Sequence, residues 1–305
     1  MQVKILGSAA GGAFPQWNCA CPNCHAVRGG QFQGKARSQT QVAVSADGES
    51  WFLLGASPDL RYQIESSSEL HPHSGRRSSP IQGVVLASAD LDHVLGLLLL
   101  RELQPFRVHA AKSVVDILRS QNSMFGMLNR VVDQVQWHPI RAGEPFDLKS
   151  PASDGEKIGC EAVAVSSHYP AYATKVEESD EGVLGLVLTS PSGATMGFFP
   201  QLARLTAELK NVFARLDCLL LDGTFWSDDE LIRLHGSGQR ARAMGHVPVG
   251  GEDGTLQQLA ALNMPRKIYI HINNTNPMLN ESGAEYRAVR DAGWELAEDG
   301  CHFTL

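Results

Sequence analysis

Short apolar runs bounded by Gly, Pro or Ser recur along the whole chain. Runs of this kind, rich in β-branched and aromatic residues, predict buried strands, and they occur at Val3–Leu6, Gln41–Val44, Trp51–Leu54, Gly83–Leu86, Val135–Pro139, Cys160–Val165, Gly185–Leu188, Thr195–Phe199, Cys218–Leu221 and Lys267–Ile270. Apolar residues at three- and four-residue spacing predict helices at Val94–Leu103, Lys112–Ser120, Gln201–Arg215, Thr255–Leu262 and Ala284–Ala292. Regular βαβ alternation is missing, so the pattern predicts an α/β (α+β) fold whose sheets pack face to face between outer helices, a four-layer αββα sandwich.

Composition excludes several classes of function. The chain has 305 residues, a hydrophobic content of 43% and a formal net charge of −7. These values suit a globular protein with a large core. The chain has no basic stripe with interleaved aromatic residues, so we expect no nucleic-acid partner. The longest strongly apolar stretch, Val94–Leu100, is too short to span a bilayer, so we expect no membrane partner.

The N-terminus and the cysteines both favour a cytoplasmic protein. Residues 3–14 are better interpreted as a first strand and a Gly-rich turn than as a signal peptide, because their apolar core is short and rich in glycine. The six cysteines are unevenly spaced and do not resemble a disulfide framework.

An Asp-x-Asp-His sequence follows the predicted strand Gly83–Leu86. Asp90, Asp92 and His93 stand where this strand runs into an apolar helix, and their oxygen and nitrogen atoms suit a divalent metal ion. The alternative is that Ser88, Asp90 or Asp92 only caps the helix. A cap needs one such residue, which leaves a second carboxylate and a histidine to be explained.

Further candidate ligands also stand at the ends of predicted strands. His168 and His271 each follow a strand-like run, and Asp222 follows Cys218–Leu221. A lone histidine in such a place is more often a hydrogen-bonded structural residue. Three such residues at strand ends, considered together with Asp90, Asp92 and His93, favour one shared metal site.

Three cysteines lie within six residues, as Cys19, Cys21 and Cys24. So tight a spacing can direct three sulfur atoms at one ion, which predicts a structural zinc site whose fourth ligand lies elsewhere. The alternatives are inert reduced cysteines or a C-x-x-C redox pair. Two features argue against the redox pair: a third cysteine is present, and we expect no helix after this motif.

The order of these residues resembles the metallo-β-lactamase superfamily. Its members carry His-x-His-x-Asp-His, a distant His, a strand-end Asp and a final His, and this chain has Ser88-x-Asp90-x-Asp92-His93, then His168, Asp222 and His271. The segments 7–24, 244–248 and 271–277 further resemble the pyrroloquinoline quinone (PQQ) biosynthesis protein B family. The resemblance covers the whole chain and implies one αββα domain over residues 1–305, with a zinc loop at 19–24.

The resemblance also bears on the fourth ligand of the structural zinc. Related phosphodiesterases of the superfamily add a histidine three residues after the final metal ligand. Here that position is Asn274. The resemblance therefore leaves Asn274, a nearby residue or water as the fourth ligand.

Departures from the superfamily pattern suggest a different chemistry from zinc hydrolysis. Ser88 and Asp90 replace two of the three histidines that hold the first zinc in hydrolases of this fold, and only His168 remains. Asp92, His93 and His271, with Asp222 or Asp90 as a further ligand, resemble the donor set of non-haem Fe(II) oxygenases. The resemblance implies an iron-dependent oxygenase that uses O₂ to hydroxylate the tyrosine of a Glu–Tyr precursor in PQQ biosynthesis.

Other roles and activities remain open at this stage. We expect His168 to act as a general base or hydrogen-bond donor, and Ser88 to leave a coordination position open. Arg240, Arg242 and His246, in a predicted loop over 233–254, either grip substrate carboxylates or are simply solvated. The alternatives to the oxygenase are a zinc hydrolase of the same fold and a non-catalytic carrier of PQQ or its precursor. A homodimer is compatible with the sequence, which does not fix the oligomeric state.

Overall fold

The structure of this protein is a computed structural model that describes residues 1–73, 77–150, 156–175 and 179–305. It contains two compact units that are each discontinuous in sequence. Unit 1 comprises Met1–Gly7, Thr40–Ala194 and Gly300–Leu305, and unit 2 comprises Ser8–Gln39 and Thr195–Asp299. The single domain expected from the sequence stays a prediction.

Unit 1 is built on a mixed seven-stranded sheet. In spatial order its strands are β14 (His302–Thr304), β1 (Gln2–Gly7), β2 (Gln41–Ser45), β3 (Trp51–Leu54), β4 (Ile81–Val85), β5 (Phe106–Ala111) and β6 (Val135–Ile140). Neighbours from β14 to β3 are antiparallel, and neighbours from β3 to β6 are parallel. The same unit holds the antiparallel strands β7 (Pro145–Lys149), β8 (Lys157–Ser166) and β9 (Val183–Thr189) and the helices α2 (Leu60–Glu65), α3 (Leu91–Val94) and α4 (Lys112–Ser120).

Unit 2 is built on four parallel strands. They are β10 (Thr195–Phe199), β11 (Cys218–Asp222), β12 (Arg266–Ile270) and β13 (Glu295–Leu296), paired in that order. Its helices are α1 (Pro22–Arg28), α5 (Ala207–Phe213), α6 (Glu230–His235), α7 (Thr255–Gln258) and α8 (Ala284–Asp291). Asp222 ends β11 opposite Ile270 at the end of β12. Side chains just beyond these two strands therefore emerge at the same edge of the sheet.

The sequence pattern predicted most of these elements. The errors are four missed strands, one wrong helix and one predicted loop that contains helical residues. All ten predicted strands are present, two of them (β3 and β10) with the predicted bounds, and α4 also has its predicted bounds. The strands β5, β7, β13 and β14 were not predicted. The helix expected over Val94–Leu103 is wrong, because a 3₁₀ segment, Leu95–Leu100, follows α3. The predicted loop over 233–254 begins inside α6 and contains a 3₁₀ turn, Arg242–Met244.

Among the residues that the structure describes, no helix combines the length and the apolar character that crossing a bilayer requires.

Candidate metal centres

The ends of β11 and β12 hold a buried cluster of hydrogen-bonded side chains in unit 2. Asp222 is fully buried and accepts from four donors. The backbone N–H of Leu202 and the Nδ1 atom of His246 each lie 2.8 Å from Oδ2. The backbone N–H and hydroxyl of Thr224 lie 3.0 and 2.6 Å from Oδ1. A carboxylate offers about four lone-pair positions, so these donors use the hydrogen-bonding capacity of Asp222.

His271 lies beside this carboxylate in an unusual backbone conformation. It directly follows β12 with φ at 59°, in the left-handed region that residues other than glycine rarely adopt. The Thr224 hydroxyl lies 2.8 Å from the His271 carbonyl oxygen and 2.8 Å from its Nδ1 atom. Both backbone and side chain of His271 are therefore held by Thr224. A strained residue held so closely is typical of a functional site.

His246 completes a candidate metal-binding group that sequence reasoning missed. Its ring stacks on that of His271, with centroids 5.5 Å apart and planes at 19°. Ligand atoms of Asp222, His246 and His271 all lie within 4.8 Å of one another, and all three side chains are buried. Two imidazoles and one carboxylate form the donor set of non-haem Fe(II) sites. From the sequence, His246 is either a residue that grips substrate carboxylates or a solvated residue of the loop over 233–254, and neither interpretation makes it a metal ligand.

The Asp-x-Asp-His segment lies in unit 1, where its side chains form a second hydrogen-bonded group. The hydroxyl of Ser88 lies 2.9 Å from Oδ2 of Asp90 and 3.0 Å from Nδ1 of His93. Ser88 and His93 are buried, whereas Asp90 and Asp92 are half-buried. Oδ2 of Asp92 lies 4.0 Å from Nε2 of His93. The alternative of a helix cap is not seen at Asp90, because this residue is the N-cap of α3 but its side chain makes no capping hydrogen bond.

A glycine anchors this segment to the end of β3. The N–H of Gly96 donates to the carbonyl of Ala56 at 2.8 Å, and the N–H of Ala56 donates to the carbonyl of His93 at 2.7 Å. A Cβ atom at Gly96 would lie 2.3 Å from the Ser57 carbonyl oxygen. Only glycine allows this close approach, which fixes the backbone of His93.

His168 and Tyr172 follow β8 in the same unit. The His168 side chain is exposed, and the backbone N–H of His168 donates to the Ser166 hydroxyl at 3.3 Å. Its expected role as a base or hydrogen-bond donor stays a prediction. The Tyr172 hydroxyl donates to the carbonyl oxygen of Ala89. Burial and the nearby charge of Asp90 raise the pKa of Tyr172 to about 12, so this phenol stays protonated at neutral pH.

The predicted cysteine cluster is present in unit 2. Sulfur atoms of Cys19, Cys21 and Cys24 lie within 4.8 Å of one another. The expectation that no helix follows the motif is wrong, since α1 begins at Pro22 and carries Cys24. Proline at the first helical position is a known start signal, and it could have revealed this helix. The argument against a redox pair therefore depends on the third sulfur atom alone.

Asn274 lies at the position that a fourth zinc ligand requires. Its amide nitrogen is 3.2, 3.6 and 3.3 Å from the sulfur atoms of Cys19, Cys21 and Cys24. In a tetrahedral zinc site, with sulfur at about 2.3 Å and oxygen at about 2.0 Å, ligand oxygen and sulfur are about 3.5 Å apart. A half-turn of the amide brings its oxygen to the same place. The donor set therefore fits zinc.

The arginines proposed to grip substrate have other partners. Arg240 Nη1 lies 3.3 Å from Oδ2 of Asp228, and Arg242 Nη2 donates to the Asp253 carbonyl at 3.1 Å. Arg242 also lines a groove of about 910 Å³ together with Trp226 and Glu230. Binding of substrate carboxylates by these residues stays a prediction.

Comparisons with known proteins agree with this combination of fold and residues. Residues 50–272 match the family model described as a β-lactamase superfamily domain. Coenzyme PQQ synthesis protein B of Methylobacterium sp. strain 4-46 is 40% identical over 100% of both chains. Its namesake in Gluconobacter oxydans strain 621H is 42% identical and covers 100% of this chain and 99% of the relative.

The chain belongs to the coenzyme PQQ synthesis protein B family. The crystal structure of Zn(2+)-bound PqqB from Methylobacterium extorquens matches with a TM-score of 0.91 and 37% identity, and covers 100% of both chains. A diphosphatase of the PhnP family matches with a TM-score of 0.67 at 16% identity, covering 100% of this chain and 97% of the other, which shows the fold alone. The predicted metallo-β-lactamase fold and family are thereby confirmed. Sharing of one ion by Asp92, His93 and His271 stays a prediction, as does ligation by Asp90 or Asp222.

Proposed function

We propose that this chain acts in PQQ biosynthesis as an iron-dependent oxygenase that hydroxylates the tyrosine ring of a Glu–Tyr precursor. Similarity over the full length to coenzyme PQQ synthesis protein B supports the pathway. The observation that carries the chemistry is the buried pair His246 and His271, which Asp222 orients directly and through Thr224. Imidazoles held in this way, together with the carboxylate of Asp92, would supply the donor set that Fe(II) oxygenases use to bind O₂ and substrate.

The proposal assigns a distinct task to each candidate residue. His271 and His93 would each supply an imidazole and Asp92 a carboxylate, with His246 beside His271 as a further imidazole. Asp222, whose oxygens already accept four hydrogen bonds, would orient His246 and Thr224. Ser88 and Asp90 stand where hydrolases of this fold carry histidines, so the three-histidine zinc site is not available in this chain.

The substrate reaction has a defined balance. Hydroxylation replaces one ring C–H bond by C–OH with one oxygen atom of O₂. The second oxygen atom leaves as water, which requires two electrons from an added reductant and two protons. The bound iron would supply the one-electron chemistry that O₂ needs to react with a closed-shell ring. The protein would hold substrate and ion in place and keep the site dry.

An anaerobic preparation loaded with Fe²⁺ tests the proposal. The sample is mixed with a Glu–Tyr dipeptide, ascorbate and ¹⁸O₂, and products are measured by mass spectrometry. The expected product carries one ¹⁸O atom on the ring, with oxygen uptake in step. The His271→Ala variant should form none, whereas Cys218→Ser, in the strand β11, should react like the unchanged chain. Absence of ring oxidation with Fe²⁺ in the unchanged chain would overturn the proposal.

Zinc hydrolysis is the second candidate, favoured by the relative whose structure is that of Zn(2+)-bound PqqB. The same preparation loaded with Zn²⁺ should not cleave a generic phosphodiester or lactam if the oxygenase proposal is correct. Turnover of either compound with Zn²⁺, without oxygen uptake with Fe²⁺, would support the hydrolase. Binding of PQQ by metal-free protein, with PQQ production unaffected by His93→Ala in cells, would support the carrier.

A further inference from the structure

We infer that Ser88 and Thr224 are positioning residues that fix the tautomer of His93 and His271, so that each imidazole offers Nε2 to the metal. This inference deepens the proposed function, since it assumes that these two histidines bind the ion. The sequence suggests for Ser88 only a helix cap or a residue that leaves a coordination position open, and it suggests no role for Thr224.

Unit 1 shows the arrangement around Ser88. Its oxygen lies 2.9 Å from Oδ2 of Asp90, 3.0 Å from Nδ1 of His93 and 3.2 Å from the backbone nitrogen of Asp90. A serine hydroxyl has one proton and two lone pairs. The carboxylate is the strongest acceptor, so the proton points to Asp90. The two lone pairs then accept the backbone N–H of Asp90 and a proton on Nδ1 of His93.

Unit 2 shows the same arrangement around Thr224. Its oxygen lies 2.6 Å from Oδ1 of Asp222 and 2.8 Å from Nδ1 of His271. The His271 carbonyl oxygen, at 2.8 Å, competes for the single hydroxyl proton. The carboxylate is charged and closer, so it takes this proton. The Thr224 oxygen must then accept from Nδ1–H of His271.

The consequence for metal binding is the same in both units. A neutral imidazole carries one proton, so a proton on Nδ1 leaves the lone pair on Nε2. Only that nitrogen can then bind an ion. His246 has the same tautomer without a bridging hydroxyl, since its Nδ1 atom lies 2.8 Å from the acceptor Oδ2 of Asp222. Orientation of metal-binding histidines by hydrogen bonds of this kind typically changes metal affinity by about 10–100-fold.

The two hydroxyls also occupy related places in the sequence. Ser88 precedes Asp90 by two residues after β4, and Thr224 follows Asp222 by two residues after β11. Each hydroxyl joins a carboxylate near it in sequence to one histidine, His93 or His271. Repetition in two units indicates that the arrangement serves the histidines and is not an accident of local packing.

Imidazole ¹⁵N NMR on the metal-free protein tests the tautomers directly. At a pH where the imidazoles are neutral, His93 and His271 should show the Nδ1–H tautomer. Thr224→Val removes the hydroxyl but keeps the shape, so His271 should become a mixture of tautomers and Zn²⁺ affinity should fall about 10–100-fold. Thr224→Ser should restore both, and Ser88→Ala and Ser88→Thr should form the corresponding pair for His93.

A matched control separates positioning from general loss of stability. Thr255→Val removes another buried hydroxyl in unit 2, whose oxygen lies 2.9 Å from the Tyr269 hydroxyl. It should leave the His271 tautomer and Zn²⁺ affinity unchanged. An Nε2–H tautomer of His271 or His93 in the unchanged chain would overturn the inference, as would unaltered tautomer and affinity in Thr224→Val. The tautomer and the Zn²⁺ affinity are measured without substrate or iron. A failure of this inference can therefore be distinguished from a failure of the oxygenase proposal.

Discussion

The Nδ1 atom of His246 lies 2.8 Å from Oδ2 of Asp222, a carboxylate that also accepts from Leu202 and Thr224. This contact joins the loop that carries His246 to the end of β11. Asp222 therefore orients His246 directly. It also orients His271, through the hydroxyl of Thr224.

The first prediction is that Asp222→Asn weakens both folding and metal binding. The new amide group presents N–H donors to atoms that are themselves donors, so buried hydrogen bonds are lost. We expect a decrease of about 2–4 kcal/mol in the free energy of unfolding and a loss of Zn²⁺ affinity of at least about tenfold. Urea unfolding and calorimetric titration measure the two effects. Asp228→Asn, at a half-buried position near the surface, is the control, and equal behaviour of the two variants would contradict the prediction.

The second prediction concerns the cysteine cluster and Asn274. Cys24→Ser should remove one tightly bound zinc per chain and lower the melting temperature, because zinc binding contributes to folding. Asn274→His should retain the metal, since histidine supplies the ligand that related phosphodiesterases carry there. Cys218→Ser, a buried cysteine far from the motif in sequence, is the control and should keep its zinc. Metal analysis after gel filtration decides, and full zinc content in Cys24→Ser would contradict the assignment.

The third prediction is that Gly96→Ala disturbs His93 from a distance. The added methyl group would overlap the Ser57 carbonyl, so the segment carrying His93 must shift. We expect a loss of about 1–3 kcal/mol in unfolding free energy, together with weaker metal binding. The control is Gly126→Ala, because a Cβ atom there meets no atom within 4 Å. Chemical unfolding and metal titration of both variants provide the comparison, and wild-type metal affinity in Gly96→Ala would refute the role of this contact.

The fourth prediction is a loss of stability in mild acid caused by His109. Burial, and then the nearby charges of His138 and Arg107, lower the pKa of His109 from 6.5 to about 4. Between these values the unfolded chain binds a proton that the folded chain does not, so stability falls as pH falls from about 6.5 to about 4 and levels off below. The effect is at most about 3 kcal/mol.

His109→Phe tests this pH dependence. The His109 ring is stacked at 5.0 Å from His138 and 5.4 Å from Phe146, and phenylalanine preserves this stacking. Unfolding free energies of the variant should decline less steeply from pH 6.5 to pH 4. His235→Gln, at an exposed position, should keep the steep decline. The same slope in His109→Phe as in the unchanged chain would show that other groups cause the acid sensitivity.

The sequence predicted the parts of the site that depend on strand ends. The sequence makes Asp222 and His271 candidates because each stands at the end of an apolar run, and parallel pairing of β11 and β12 brings such positions to one edge of the sheet. The cysteines and Asn274 were recognised from spacing and family resemblance. The strand-end residues and the cysteine group can both be predicted because each depends on a spacing that is visible in the sequence.

Other features depend on contacts that leave no such pattern. His246 follows a glycine in an irregular loop, and its hydrogen bond with Asp222 and its stacking on His271 identify it. The helix expected over Val94–Leu103 is instead the 3₁₀ segment Leu95–Leu100, in which the N–H of Gly96 donates to the carbonyl of Ala56. The roles of the Ser88 and Thr224 hydroxyls depend on atomic distances, and no pattern in the sequence singles out Thr224.

Anomalous diffraction from crystals grown with Fe²⁺ under anaerobic conditions tests the central claim most directly. The account predicts one iron peak within about 2.3 Å of Nε2 of His271 and Nε2 of His93, with a carboxylate oxygen of Asp92 as a further ligand. A peak bonded through Nδ1 of either histidine, or iron bound at neither, would contradict it.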